Sequence, residues 1–313
     1  MSLVPVPKNA ADQMDTSDNV DRNSKEYKEA FNKFILNNLE NHPAKLLKEY
    51  LEQIDQIITY NPEKVTELRE YIRKTEDLIE NFDNAKIFID IGGFNYIPKL
   101  LQVKDENIKE ATCDFIAELV QNHQVCQDEA QKINILPDII SIFDHDNYDN
   151  VKVKAIYALS SLLRGNKNLQ TQFLNNGGID ILLKGLQSPV EKIKLKTTLL
   201  VMYMSLENED FTKQFHQKGI LFQLLKNVMT YEHDLSHEHT LNAILSMVKT
   251  DPSLVTDLKH SCKDLKTFLL ERGAILDGKP EYIEEDTYVK TLYELCFEED
   301  LSEAIGALNI PKI

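Results

Sequence analysis

Four segments of this chain share one shape and recur at a nearly fixed interval. GGFNYIPKLL, INILPDIISIF, GGIDILLKGL and KGILFQLLKNV align on Gly93, Asn134, Gly178 and Gly219, in steps of 41, 44 and 41 residues. Gly and Asn are the residue types that tolerate a left-handed backbone between helices. A second mark follows each of them: Ala111, Lys154, Lys196 and His239 stand 43, 42 and 43 residues apart, each early in a long amphipathic segment. A third precedes them, where Asn84, Asn122, Asn166 and Asn208 each open a short segment. Asn is a good N-cap because its side chain accepts from an early unpaired N–H. A unit of this size cannot bury its apolar face alone, so neighbouring units must stack.

A period near 42, with one short and two longer helices per unit, is the armadillo pattern. The predicted fold is therefore all-α: a right-handed armadillo superhelix of about four repeats over residues 83–250, with helical caps at both ends. Residues 25–82 form the first cap, in three helical patterns. The second pattern follows Pro43, and Pro62 suits the first turn of the third. Residues 251–313 form the other cap. Residues 1–24 are polar and rich in Asp and Asn, and are expected to be a disordered tail. Ten Gly and ten Pro in 313 residues are few helix breakers, in keeping with this reading.

Several function classes are disfavoured. A net charge of −16 makes a poor general binder of nucleic acid, which needs a positive surface. No stretch approaches the ~18 apolar residues of a membrane span. The start of the chain lacks a basic and apolar leader, which points to a cytoplasmic protein. Four cysteines without a CxxC pair read as free thiols. No GxxxxGK[ST], GxSxG or HExxH motif occurs, so no cofactor and no enzymatic activity are expected. His233, His237 and His239 in EHDLSHEHT invite a zinc reading, but no sulphur ligand accompanies them. Polar residues at a helix start are the expectation there, and no metal. The run Glu284, Glu285, Asp286 reads as a solvated helix start.

Charge is distributed unevenly. Between Val151 and Lys196 there are eight basic residues (Lys152, Lys154, Arg164, Lys167, Lys184, Lys192, Lys194, Lys196) and two acidic ones. Lysines on helix exteriors are ordinarily just solvated, but this surplus is confined to two adjacent repeats of an acidic chain. In an armadillo stack the third helix of each unit lines the concave face. Helical spacing puts Lys154, Tyr157, Ser161 and Arg164 on the exposed stripe of unit two. Transfer by the repeat gives Ala111, Asp114, Glu118 and Gln121 in unit one. Unit three contributes Lys192, Lys196, Leu199 and Tyr203, and unit four His239, Asn242 and Ser246. The groove is expected to run from acidic through basic to polar, with Tyr157 and Tyr203 at its centre, and Tyr and Arg are common interface anchors.

Four stretches in order then resemble one family: ENFDNAKIF (80–88), VKVKAIYALSSLLRG with QFLNNGGIDILL (151–183), VEKIKLKTTLL (190–200) and EHDLSHEHTLNAILSMV (232–248). They are similar to the armadillo-type nucleotide exchange factors of the heat-shock 70-kDa chaperone, the Hsp70-binding-protein and Fes group, cytosolic branch. The resemblance implies a non-enzymatic co-chaperone that clasps one lobe of the chaperone's ATPase domain and promotes ADP release. On this sequence the implied contact residues are Lys154, Arg164, Lys192, Lys196, His237, His239 and Asn242, joined by Tyr157 and Tyr203 from the groove centre that the spacing gives. It also implies a monomer, and a flexible tail that competes with clients, for which the N-terminus shows no matching motif. The alternative is a generic armadillo adaptor for another protein or an extended peptide. Grooves of that kind carry ladders of Trp and Asn, and this chain has no Trp.

Overall fold

The computed structural model describes residues 42–229, 236–261 and 264–307. The expected tail over 1–24, the first helical pattern of the N-terminal cap, and His233 and Cys262 lie outside the described residues. Within them the chain forms eighteen α-helices and no strand, with 3-10 turns at Gly93–Tyr96 and Pro280–Tyr282. Two helices come first, α1 (Pro43–Tyr60) and α2 (Val65–Ile79). Pro43 occupies the first turn of α1, where the His42 ring accepts from the Ala44 N–H at 3.3 Å. Pro62 instead sits in the turn before α2, which begins three residues later at Val65.

Three-helix units follow. They are α3 (Phe82–Asp90), α4 (Ile97–Leu101) and α5 (Glu106–Val120); α6 (Gln124–Lys132), α7 (Leu136–His145) and α8 (Asp149–Leu163); α9 (Lys167–Asn175), α10 (Gly178–Leu186) and α11 (Glu191–Glu207); and α12 (Glu209–Gln217), α13 (Ile220–Val228) and α14 (Ser236–Thr250). Beyond them α15 (Leu254–Ser261), α16 (Leu265–Leu276) and α17 (Ile283–Phe297) repeat the arrangement, and α18 (Leu301–Ala307) packs on α16. The third helices form a row in which each packs on the next: α2, α5, α8, α11, α14, α17. Their inward residues, such as Ile116, Leu159, Val201 and Ile244, are fully buried and belong to one continuous core. Each contributes roughly 1.5–3 kcal/mol of burial free energy.

The repeat marks have specific local causes. Gly92 and Gly177 carry the left-handed backbone, at φ 78° and 80°, one residue before the aligned Gly93 and Gly178. Those two are glycine for a different reason: a Cβ on Gly93 would lie 2.4 Å from the Phe88 ring, and one on Gly178 2.4 Å from the Phe173 ring. Asn166 and Asn208 cap α9 and α12, accepting from Leu169 N–H at 3.1 Å and Asp210 N–H at 2.9 Å. The other two Asn marks serve differently. Asn81 caps α3, while Asn84 lies inside it and donates to the Leu78 carbonyl at 2.7 Å. Asn122 takes φ 54° to turn the chain, and the His123 ring caps α6.

Candidate protein-binding face

The exposed stripe of the third-helix row is where the sequence placed the groove. In unit one Ala111, Asp114, Glu118 and Gln121 are all on the open side, as spacing predicted. In unit two Lys154, Tyr157 and Arg164 are open, but Ser161 is buried at 5% exposure and Ser160 takes its place on the stripe. In unit three Lys192 is exposed, and Lys196, Leu199 and Tyr203 are half-buried on the same side. In unit four His239 and Asn242 are on the stripe, whereas Ser246 is buried and its hydroxyl donates to the Asn242 carbonyl at 2.8 Å.

His237 is a correction. It is 0% exposed, with its Nδ1 3.9 Å from Oε1 of Glu285 on α17, so α17 covers the position that the sequence had assigned to the groove. The same carboxylate corrects the reading of residues 284–286 as a solvated helix start. Glu285 is buried and accepts from Arg272 Nε at 2.6 Å, and Asp286 pairs with Lys290 at 2.6 Å. Among the described residues no group of three or more His, Cys, Asp or Glu is placed to hold a metal ion.

The basic centre is engaged with the acidic stripe beside it. Lys154 Nζ lies 2.5 Å from Asp114 Oδ2, across from α8 to α5. The Tyr157 hydroxyl is 2.9 Å from both Glu118 Oε1 and Gln121 Oε1, and donates to this pair of acceptors. Burial, with the Glu118 hydrogen bond second, pushes the Tyr157 phenol up to about 12. From the other side Lys196 Nζ sits 4.3 Å above the Tyr157 ring, and the Arg164 guanidinium lies 3.7 Å over the Tyr203 ring. Such cation–aromatic stacks hold long side chains in place. Burial, then the Lys154 charge, lowers the Lys196 ammonium from its ordinary value. Lys184 pairs with Asp144 on the second-helix row, away from this face.

Carboxylates bracket this centre at both ends. Glu76 on α2 is pushed up to about 7, chiefly by burial and then by the charges of Asp114 and Glu118. On α14 Glu238 is raised by burial and by its hydrogen bond with Glu284 of α17. Asn242 Nδ2 donates to the Tyr288 hydroxyl of α17 at 3.2 Å, closing that end. The face therefore runs acidic, basic, acidic from α2 to α17. Glu76, Glu238, Glu284 and Tyr288 were absent from the sequence-derived stripe. For Glu76, Glu284 and Tyr288 the signal was the row itself, extended by one third helix in each direction; Glu238 stands one residue before His239 on a helix already in the row.

Much of this chain matches known proteins in sequence and in fold. Residues 84–220 match the family model of the SIL1/FES1/HPBP1 C-terminal domain. Over these residues the chain resembles the SIL1/FES1/HPBP1 group. It is 29% identical over 222 residues to Hsp70-binding protein 1 of Mus musculus, covering 71% of this chain and 62% of that one. It is 28% identical over 229 residues to Hsp70 nucleotide exchange factor FES1 of Saccharomyces cerevisiae, covering 70% and 76%. The chain thus spans about three fifths of the length of the first of these relatives. A designed armadillo repeat protein superimposes with a TM-score of 0.64 at 16% identity, over 79% of this chain and 99% of that one. The fold is an all-α armadillo superhelix. All of units two and three, and unit one from its third residue on, fall inside the family match, with Lys154, Tyr157, Lys196 and Tyr203 among them.

Proposed function

We propose that this chain is a nucleotide exchange factor that binds the ATPase domain of the heat-shock 70-kDa chaperone through its third-helix face and promotes ADP release. The observation that carries the reading is a coincidence of place. The segment matching the family model holds the basic and aromatic centre of the exposed face, where Lys192, Lys196, Arg164 and Tyr203 face outward on a rigid helix row.

The face works without covalent chemistry. A bound factor shifts the chaperone toward ADP release only if it binds the opened ATPase domain more tightly than the closed one. A stiff stack of helices suits this, because a fixed curvature accepts one lobe orientation and resists the other. The lysines then speed encounter with an acidic patch and fix its register more than they add affinity.

The reading places the protein in the cytoplasm. No helix among the described residues is long and apolar enough to cross a membrane. Cys113, Cys126 and Cys296 are buried free thiols, and burial pushes them up to about 12, 12 and 11 respectively. Thiols held protonated in this way serve as packing groups.

The test is ADP release. The chaperone's ATPase domain is loaded with fluorescent ADP, and the decay of signal is followed with and without this protein. Acceleration at micromolar concentration supports the proposal, and an unchanged rate sinks it.

A further inference from the structure

Where the third-helix face meets the α2–α3 and α5–α6 turns, the structure has an open slot of about 270 Å³. Phe82 lies on its wall and is 59% exposed, stacked on the His123 ring with centroids 4.8 Å apart and planes 18° from parallel. Glu80 and Glu118 line the same slot, along with Gln121. Among the described residues no Lys or Arg lines it. Nothing in the fold requires this phenyl ring to be solvated. α3 is already anchored by Ala85 and Phe88, both 1% exposed, and capped by Asn81. The neighbouring Tyr157–Glu118–Gln121 bonds hold the far wall in place.

We propose that this slot receives an arginine side chain of the protein docked on the third-helix face. The inference rests on the reading of that face as a partner-binding surface. Three features select arginine. An exposed aromatic face attracts a cation, and a planar guanidinium also stacks on it. Two carboxylates and, among the described residues, no cation line the slot, and the arginine fork fits a carboxylate with two parallel N–H donors. The Gln121 side chain adds a neutral polar wall beside Glu118. A lysine ammonium would meet the carboxylates but gain less from the ring, because it is compact and strongly hydrated.

The slot also explains why the face is bipolar. Lys192 and Lys196 ask for an acidic patch on the partner, and on the other side of Tyr157, whose hydroxyl holds Glu118, the slot asks for a basic one. A partner matched at only one end docks in several registers, whereas one matched at both ends docks in one. The slot is thus the register-setting end of the face and the basic centre its steering end.

The experiment uses two readouts. First, N-acetyl-arginine amide, N-acetyl-lysine amide and N-acetyl-citrulline amide are titrated into the full chain while NMR follows the Phe82 and His123 ring signals. The arginine probe is expected to give saturable millimolar shifts, the lysine probe at least threefold weaker ones, and the citrulline probe none. Phe82→Ala and Glu118→Gln are each expected to weaken the arginine response at least fivefold. Equal responses to arginine and citrulline, or no effect of either variant, overturn the slot.

Second, the same two variants are tested for binding to the chaperone's ATPase domain. An arginine-dependent slot with no chaperone binding by the unaltered chain leaves the slot standing and removes the chaperone as its partner. Chaperone binding that Phe82→Ala leaves unchanged overturns the slot's role in docking. Because Phe82 and Glu118 are exposed, circular dichroism should show both variants folded as the unaltered chain is.

Discussion

Replacing Arg272 by Met should destabilise the protein by about 3–5 kcal/mol, because it leaves a buried carboxylate beside an apolar side chain. Arg272 is 4% exposed, Glu285 2%, and Nε to Oε1 is 2.6 Å. Glu285 sits in the first turn of α17, and Arg272 is in the middle of α16. The third member of the cluster is His237 of α14, with its Nδ1 3.9 Å from Glu285 Oε1. The perturbation therefore acts where three helices meet. Calorimetry or far-ultraviolet circular dichroism reads it as a fall of about 6–15 °C in Tm, at roughly 2–3 °C per kcal/mol for a chain of this size.

The double variant Arg272→Met with Glu285→Leu removes the stranded charge and should recover most of the loss, as apolar replacements of buried ion pairs generally do. A repeat array unfolds in segments, so the loss should appear first in α14–α18 by hydrogen exchange. An Arg272→Met protein within 1 kcal/mol of the unaltered one would refute the reasoning, as would a double variant no better than the single.

Three further outcomes follow from the same contacts. Glu76→Gln should leave stability unchanged below about pH 4 and raise it by about 1 kcal/mol at pH 8, measured by urea unfolding; the figure is discounted for partial exposure. The sign comes from a folded pKa of about 7, above the unfolded value, so the native state loses stability as pH rises from 4.5 to 7 and Glu76 ionises. Gly178→Ala should cost about 1–3 kcal/mol, because its Cβ would meet the Phe173 ring at 2.4 Å and the Phe173 carbonyl oxygen at 2.6 Å. Lys192→Glu, at an exposed position, should slow association with the chaperone's ATPase domain by about tenfold at low salt. Its dissociation rate should change little, and surface plasmon resonance at two ionic strengths separates the two.

The fold was legible because its period is written three times over, in the glycines, the long amphipathic segments and the short openings between them. The off-by-one at Gly92 and Gly177 shows where periodicity stops being informative. Alignment finds the pair of glycines, but only the approach of Phe88 and Phe173 tells which one turns the chain and which one makes room. The groove was legible where third helices face solvent on one side only, as at Lys154, Tyr157 and Lys196. It failed at His237, because the residues after 250 were read as a cap and not as a further unit whose third helix, α17, covers α14.

The charge of the groove was legible as a count but not as a field. Lys154 and Tyr157 meet Asp114 and Glu118, which stand 40 and 39 residues earlier, close to one repeat. The same spacing that placed the lysines also placed acids next to them, and aligning unit one against unit two shows it. Eight basic residues between 151 and 196 thus reduce to a smaller outward-facing set, of which Lys192, Lys196 and Arg164 are the members on this face.

The most direct test of the central claim is single-turnover release of fluorescent ADP from the chaperone's ATPase domain, with excess unlabelled ATP and increasing amounts of this protein. The release rate is expected to rise and saturate with micromolar protein, and to be reduced by Lys192→Glu with Lys196→Glu while helicity is retained. A release rate independent of this protein at every concentration would contradict it.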